Sequence, residues 1–312
     1  MLIALEEHML PPELADEVAE VHGQPPGIRA ALTEWGERRL AVMDEAGIDV
    51  QVLSVVAPGS QEVPEDRAVD VARRLNDATA AAVAEQPDRF RALASLPTQQ
   101  PDAAAEEARR AIEELGFAGV IVQGHTDGHF LDEPAFGPLL SMVETLGVPV
   151  YLHPTYPPQA VFDAYYRTPD PRVGQLLSIA GWGWHAETGM HILRMAAGGV
   201  FDRHPALQVV VGHMGENLPF SLMRADSILT PVTGRSVAQA VLDHVHLTTC
   251  GYTTVPPLLC ALQVFGADRI LFSADYPFGD SVEHAAFLRT APISPTDREK
   301  VAHRNAEALF RL

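Results

Sequence analysis

The stretch Pro101-Asp102-Ala103-Ala104-Ala105-Glu106-Glu107-Ala108-Arg109-Arg110-Ala111-Ile112-Glu113-Glu114-Leu115 is a helix-forming run that stops at Gly116-Phe117, just before the short apolar run Ala118-Gly119-Val120-Ile121-Val122. A glycine just past a helical run supplies the left-handed turn that ends it. A run apolar at every position, not at alternate ones, reads as a strand covered on both faces, the kind found in parallel sheets fed by helices. Outward from this unit the pattern recurs. Asp44-Glu45-Ala46-Gly47-Ile48-Asp49 leads into Val50–Val56, and Phe265-Gly266-Ala267-Asp268 leads into Ile270–Ser273. With Leu2–Leu5, Phe90–Leu96, Val148–Leu152, Leu207–Val211 and His246–Thr249 the strands number eight. Helices are expected between them at Asp66–Glu85, Pro101–Leu115, Phe136–Leu146, Glu187–Gly198, Leu218–Ser227 and Val255–Phe265.

Eight βα units suit a closed (β/α)8 TIM barrel. At 312 residues the choice is between two ordinary domains and one large barrel, since barrels of about 250 residues are routinely single domains. No repeat, low-complexity tract or long polar linker divides the chain, so residues 1–312 read as one domain. The irregular stretches Met9–Gln24 and Thr155–Gly181 follow the first and fifth strands, and in a barrel both lie at the C-terminal face, where long βα loops build active sites.

The charge balance narrows the partners. Lys and Arg total 22 against 41 Asp and Glu, a net −19, too acidic for a nucleic-acid or anionic-membrane surface. With 47% hydrophobic and 20% charged residues the composition is that of a globular protein, not a disordered or fibrous one. Cys250 and Cys260 are the two cysteines; ten apart, they offer neither a disulfide framework nor a thiolate zinc site, and a reducing cytoplasm is the expected compartment. Neither a basic leader nor an apolar run of about 18 residues is seen, so membrane insertion is not expected. Lys300 is the only lysine, which argues against Schiff-base chemistry, and the lack of a GxGxxG after a strand argues against a dinucleotide.

Polar residues close the expected strands: Glu6 and His8 after the first, His153 after the fifth, His213 after the sixth and Asp275 after the eighth. Glu6 and His8 are two apart, hence on one face of a strand. With His153 and Asp275 they form an N/O donor set suited to one Zn²⁺ or Mn²⁺ with positions left open. Singly, each has a plainer reading: Glu6-Glu7-His8 as a solvated strand end, His153 as a core histidine, Asp275 as a loop start or helix cap. Together they place four potential ligands at the same ends of the right strands.

The segments Ala4-Leu5-Glu6-Glu7-His8, Met43-Asp44-Glu45-Ala46-Gly47-Ile48-Asp49, Leu152-His153-Pro154, Gly212-His213-Met214-Gly215-Glu216 and Ser273-Ala274-Asp275-Tyr276-Pro277-Phe278 resemble, in order, those of the amidohydrolase-superfamily decarboxylases that act on γ-resorcylate (2,6-dihydroxybenzoate), other dihydroxybenzoates and 5-carboxyvanillate. The resemblance covers nearly the whole chain. It implies an amidohydrolase-type barrel, one divalent metal held by residues matching Glu6, His8, His153 and Asp275, no organic cofactor, and nonoxidative decarboxylation of a hydroxylated aromatic acid. Binuclear relatives carry a carbamylated lysine where this chain has Gln123, which favours one metal.

The resemblance further implies Asp275 as the proton donor to the ring, His213 as substrate orienter or proton relay, Glu216 as the partner of His213, and Arg224 as a pairing group for the substrate anion or Glu216. By residue type alone, His213 reads as a structural histidine and Arg224 as a surface arginine; the resemblance reverses that reading. Trp182 in Gly181-Trp182-Gly183-Trp184-His185 is the candidate aromatic wall over the ring, and His185 is a further candidate for the pocket. Gln123 and Cys250-Gly251-Tyr252 depart from the family's pattern and are expected to border the substrate. A homodimer or homotetramer is implied. The rival readings are a hydrolase, lactonase or hydratase of the same superfamily, or an idle metal-binding barrel; Glu-x-His on the first strand, where most hydrolases carry His-x-His, favours the decarboxylase.

Overall fold

The computed structural model describes residues 1–18 and 26–312; of the expected loop Met9–Gln24, residues 19–24 lie outside the described residues. Eight parallel strands follow one another around a barrel in chain order: β1 (Ile3–Met9), β2 (Val50–Val55), β3 (Phe90–Ser95), β4 (Gly119–Gln123), β5 (Val150–His153), β6 (Val209–Val211), β7 (Val245–Thr248) and β8 (Ile270–Leu271). The ring closes where Leu5 pairs in parallel with Ser273 and the Leu5 amide donates to the Phe272 carbonyl at 3.1 Å.

The buried side chains fall into an outer and an inner set. Those facing out from the strands form one cluster with apolar side chains of the surrounding helices, Val122 with Leu139 and Val143 among them. Those facing in, among them Ile3, Leu5, Val52, Leu93, Ile121, Tyr151, Val210 and Leu271, fill the barrel and pack on Ala306 and Phe310 of the helix Asn305–Phe310. A barrel this size is thereby a solid core with chemistry only at its open rim.

Helices lie where expected. The helix Val255–Phe265 matches at both ends, set by prolines in its first turn and by Gly266 after its last residue. That at Pro101–Glu113 ends just before the left-handed Gly116. Several boundaries differ, among them a helix that starts at Gly183, not Glu187, and one that runs to Thr233, not Ser227. Strand β1 continues through His8 to Met9, and β8 is cut to two residues. The stretch Thr155–Gly181, expected to be irregular, holds a helix at Pro171–Ser178, started by the Asp170 carboxylate accepting from the Arg172 amide and by Pro171 at its first position. Among the described residues no helix is long and apolar enough to cross a membrane.

Candidate active site

Strand β1 brings two polar side chains to one place, but not by simple alternation. Its register with β2 shifts between Ala4 and Glu7, and Glu6 has a φ of 60°. A bulge re-aims a side chain, and this one turns the Glu6 carboxylate into the barrel mouth beside His8. The segment around it is pinned: the Ala274 amide and Gln51 Nε2 both donate to the Glu7 carboxylate, at 3.0 and 2.8 Å, and the buried Arg39 donates to the His8 carbonyl. Burial pushes the Glu7 carboxyl up to about 8. Asp275, His213, Met214, Glu216 and Asn217 also have positive φ, so with Glu6 they make six of the eight such non-glycine residues described. Backbone strain of this kind persists where the surroundings over-determine it.

The donor atoms of Glu6, His8 and His153 lie within 4.8 Å of one another, all buried. His153 Nδ1 is 2.7 Å from the Pro154 carbonyl, which can only accept, so Nδ1 carries a proton and Nε2 is left to face Glu6 Oε1 at 3.3 Å. His8 Nδ1 meets Ser54 Oγ at 3.1 Å, and its Nε2 lies 3.4 Å from Asp275 Oδ1. Outer hydrogen bonds that fix each ring and turn its other nitrogen inward are how metal-binding histidines are set. Glu6 Oε1 is buried with no hydrogen-bond partner, a cost that a divalent cation would remove. Burial works to raise the Glu6 pKa, but His213, His153 and His8 outweigh it and hold the carboxyl far below its ordinary value. The donors present fit a divalent ion.

The other oxygen of Glu6 is fully engaged. Tyr151 Oη donates to Oε2, as do Cys250 Sγ at 2.7 Å and Thr248 Oγ1 at 3.4 Å. Gly212 makes room for this carboxylate, since a Cβ there would come within 2.8 Å of Oε2 and 3.0 Å of Oε1. Burial, then the Glu6 charge, pushes both the Cys250 thiol and the Tyr151 phenol well above their ordinary values, so both keep their protons.

Across the mouth, Glu216 joins two histidines. Its Oε1 lies 2.6 Å from His213 Nδ1 and its Oε2 2.6 Å from His185 Nδ1. Burial works against a charge on His213, but Glu216 and Glu6 prevail and push its pKa up to about 10, leaving an imidazolium near neutral pH. Its Nε2 points between Glu6 Oε1 at 3.7 Å and Asp275 Oδ2 at 4.0 Å.

A cavity of about 590 Å³ opens above these groups, bordered by His8, His153, His213 and Asp275 below and by Trp182, Trp184, His185, Tyr252 and Phe278 at the sides. That volume suits a small aromatic acid.

Two sequence expectations need correction. Arg224 is exposed on the helix Leu218–Thr233 and does not border the cavity. Nor does it pair with Glu216, which stands within a run of left-handed turns, His213–Asn217, with both carboxylate oxygens held by histidines. Gln123 stands beside His153 in the β4–β5 register, but its Nε2 is spent on the Val55 carbonyl and it does not border the cavity. Trp182 does border it, from an exposed place, while Trp184 lies closer in, its ring 6.2 Å from His153 and 6.3 Å from His213. Sequence reasoning passed over Tyr151, though the alternation that turns His153 inward also turns inward the residue two before it.

Residues 8–312 match the amidohydrolase family model. The chain is similar to the gamma-resorcylate decarboxylase of Rhodococcus jostii, 39% identical over 333 residues spanning 99% of this chain and 98% of that protein. It superposes on a crystal structure of 2,6-dihydroxybenzoate decarboxylase complexed with 2,6-dihydroxybenzoate, with a TM-score of 0.91 and 36% identity over 100% of this chain and 99% of the other. It superposes equally, at 0.91 and 37% identity over 100% and 97% of the two chains, on a dihydroxybenzoic acid decarboxylase from Polaromonas sp. JS666 with bound manganese and the inhibitor 2-nitroresorcinol.

Proposed function

Because this chain belongs to the amidohydrolase family, we propose that its reaction is carried by the Glu6, His8, His153 and Asp275 cluster with the His213–Glu216 pair beside it. The protein is a metal-dependent carboxy-lyase acting on hydroxylated benzoates, and its cofactor is a divalent metal ion. The observation that carries the site assignment is Glu6 Oε1, buried and partnerless amid the inward-turned nitrogens of His8 and His153. The metal ligands are Glu6, His8, His153 and Asp275, and manganese is the ion of choice, in keeping with the manganese of the similar Polaromonas enzyme. A divalent ion held there supplies Lewis-acid charge to an aromatic carboxylate.

Loss of CO2 from a ring requires the carbon bearing the carboxylate to take up a proton, with transient loss of aromaticity. The Asp275 carboxyl delivers that proton to the ring carbon; the ring–carboxylate bond then breaks, its electrons return to the ring and CO2 departs. The His213 imidazolium, fixed by Glu216, orients the anionic substrate and stands 4.0 Å from the Asp275 oxygen it would reprotonate. Trp182 and Trp184 wall the ring, and Tyr252 meets its far substituents. 2,6-Dihydroxybenzoate is the leading substrate. The active form is a homodimer or homotetramer, and a reducing cytosol is its compartment, in keeping with a Cys250 thiol whose hydrogen bond to Glu6 needs the reduced form.

Metal analysis and a CO2-release panel test this. About one divalent ion per chain is expected, with CO2 from 2,6-dihydroxybenzoate in preference to 2,3-dihydroxybenzoate, salicylate or 5-carboxyvanillate. Metal without CO2 from any of the four would move the site to the hydrolase or hydratase class, and failure of the purified chain to take up metal would remove the assignment.

A further inference from the structure

Beneath the four ligands the barrel interior holds an unusual layer. Tyr151 on β5, Thr248 on β7 and Cys250 just beyond β7 are all completely buried. Their polar atoms converge on one oxygen of Glu6. Tyr151 Oη and Thr248 Oγ1 are 3.2 Å apart, Thr248 Oγ1 and Cys250 Sγ are 3.2 Å apart, and all three reach Glu6 Oε2. The opposite oxygen, Oε1, has no hydrogen bond. Cys250 is tied in from above as well, its sulfur accepting from the His213 amide at 3.0 Å.

We propose that Tyr151 and Cys250 are positioning residues that hold Glu6 as a one-oxygen metal ligand, by occupying Oε2 and leaving Oε1 as the only oxygen free to coordinate. The inference rests on the metal assignment above. A carboxylate free to rotate can grip a cation with both oxygens and fill two coordination positions. One whose second oxygen accepts hydrogen bonds from fixed hydroxyl and thiol groups offers one, which leaves room at the ion for the oxygens of a substrate. Donors fixed on the far oxygen also hold the ligand in place before the ion arrives, so that losing them weakens the ion's binding. The thiol acts as a donor and not as a ligand, although its sulfur lies close enough to Glu6 and His213 to suggest a site of its own. Cys250 thereby differs from a packing residue: what matters is its proton.

The test compares wild type with Tyr151→Phe, Cys250→Ala and Cys250→Ser, each stripped with chelator and titrated with Mn²⁺ while free Mn²⁺ is read from its solution EPR signal. Wild type binds about one ion. Tyr151→Phe and Cys250→Ala weaken Mn²⁺ by about 10- to 100-fold, the usual cost of an outer hydrogen bond to a ligand. Cys250→Ser, which restores a donor, recovers most of that loss. Thermal melts of the metal-free proteins are run alongside, because a packing role would lower Tm and leave Mn²⁺ affinity alone. Affinities of Tyr151→Phe and Cys250→Ala within twofold of wild type would overturn the inference while leaving the metal assignment standing. So would a serine variant no better than alanine, or an intense thiolate-to-metal absorption band in the Co²⁺-loaded wild type, which would make Cys250 a ligand. A wild type that binds no Mn²⁺ would overturn both.

Discussion

Asp275 and His213 stand 4.0 Å apart, yet their substitution should have different signatures. On the proposal above Asp275 gives the ring its proton, and a carboxamide of the same shape is far too weak an acid to do so. Asp275→Asn is expected to keep its metal through Glu6, His8 and His153, to bind 2,6-dihydroxybenzoate, and to lose about 10²- to 10⁴-fold in kcat, the range for a general acid. His213 is held in place by Glu216 and touches the site through charge. His213→Ala should lower kcat/KM about 100-fold with metal content unchanged. Steady-state kinetics beside metal analysis distinguish the two. A near-normal kcat in Asp275→Asn would remove its role as acid, and loss of the metal in His213→Ala would make that histidine a ligand.

At the scale of the element, the helix Gly183–Ala197 carries a group whose chemistry is that of stability. Glu187 is largely buried, its Oε1 has no hydrogen-bond partner, and the nearest basic atom, His125 Nε2, is 4.0 Å from Oε2. Burial pushes its carboxyl up to about 8, and burial pushes the His125 imidazole down, so the pair is mostly uncharged near neutrality. A carboxyl with a raised folded pKa holds a proton that the unfolded chain releases above its ordinary value of 4.5. Folding stability therefore falls as pH climbs from about 4.5 to about 8 and levels off beyond, by a few kcal/mol at most. Glu187→Gln removes that slope: urea titrations should find it equal to wild type near pH 4 and more stable near pH 8.5, and parallel curves at both pH values would refute the assignment. The elements themselves were legible because barrel strands are continuous apolar runs and their helices end at glycines, as at Gly47, Gly116 and Gly266. The clustering of Glu6, His8, His153 and Asp275 was legible too, since each stands at or just past the C-terminal end of a strand. What periodicity could not carry was departure from regular backbone. The bulge at Glu6 and the left-handed turns from His213 to Asn217 leave no mark in hydrophobic periodicity, and the resemblance that pointed to Arg224 did not show that it stands exposed.

For the molecule as a whole, the balance between charge and apolar surface argues for self-association. Phe220 and Val232 are 90% and 86% exposed, and Met223 and Ile228 on the same helix, Leu218–Thr233, are more than half exposed. Single exposed apolar residues are ordinary, but four large ones on one helix of a chain with a net −19 are what a protein–protein contact would use. Two such acidic copies repel at long range, which favours uncharged surface for any contact between them. Burial of each large apolar side chain is worth about 1.5–3 kcal/mol. Phe220→Glu combined with Val232→Glu should therefore raise the dissociation constant of the assembly by roughly two to four powers of ten. Light scattering across a dilution series would find wild type as a dimer or tetramer where the double variant is monomeric. The helix begins one residue past Asn217, at the end of the strained run that holds His213 and Glu216. Loss of the partner should therefore loosen the His213 side of the cavity and raise KM more than it disturbs metal content, because Glu6, His8 and His153 are carried by strands. A monomeric wild type would overturn self-association, and a double variant that assembles as wild type does would place the contact on another face.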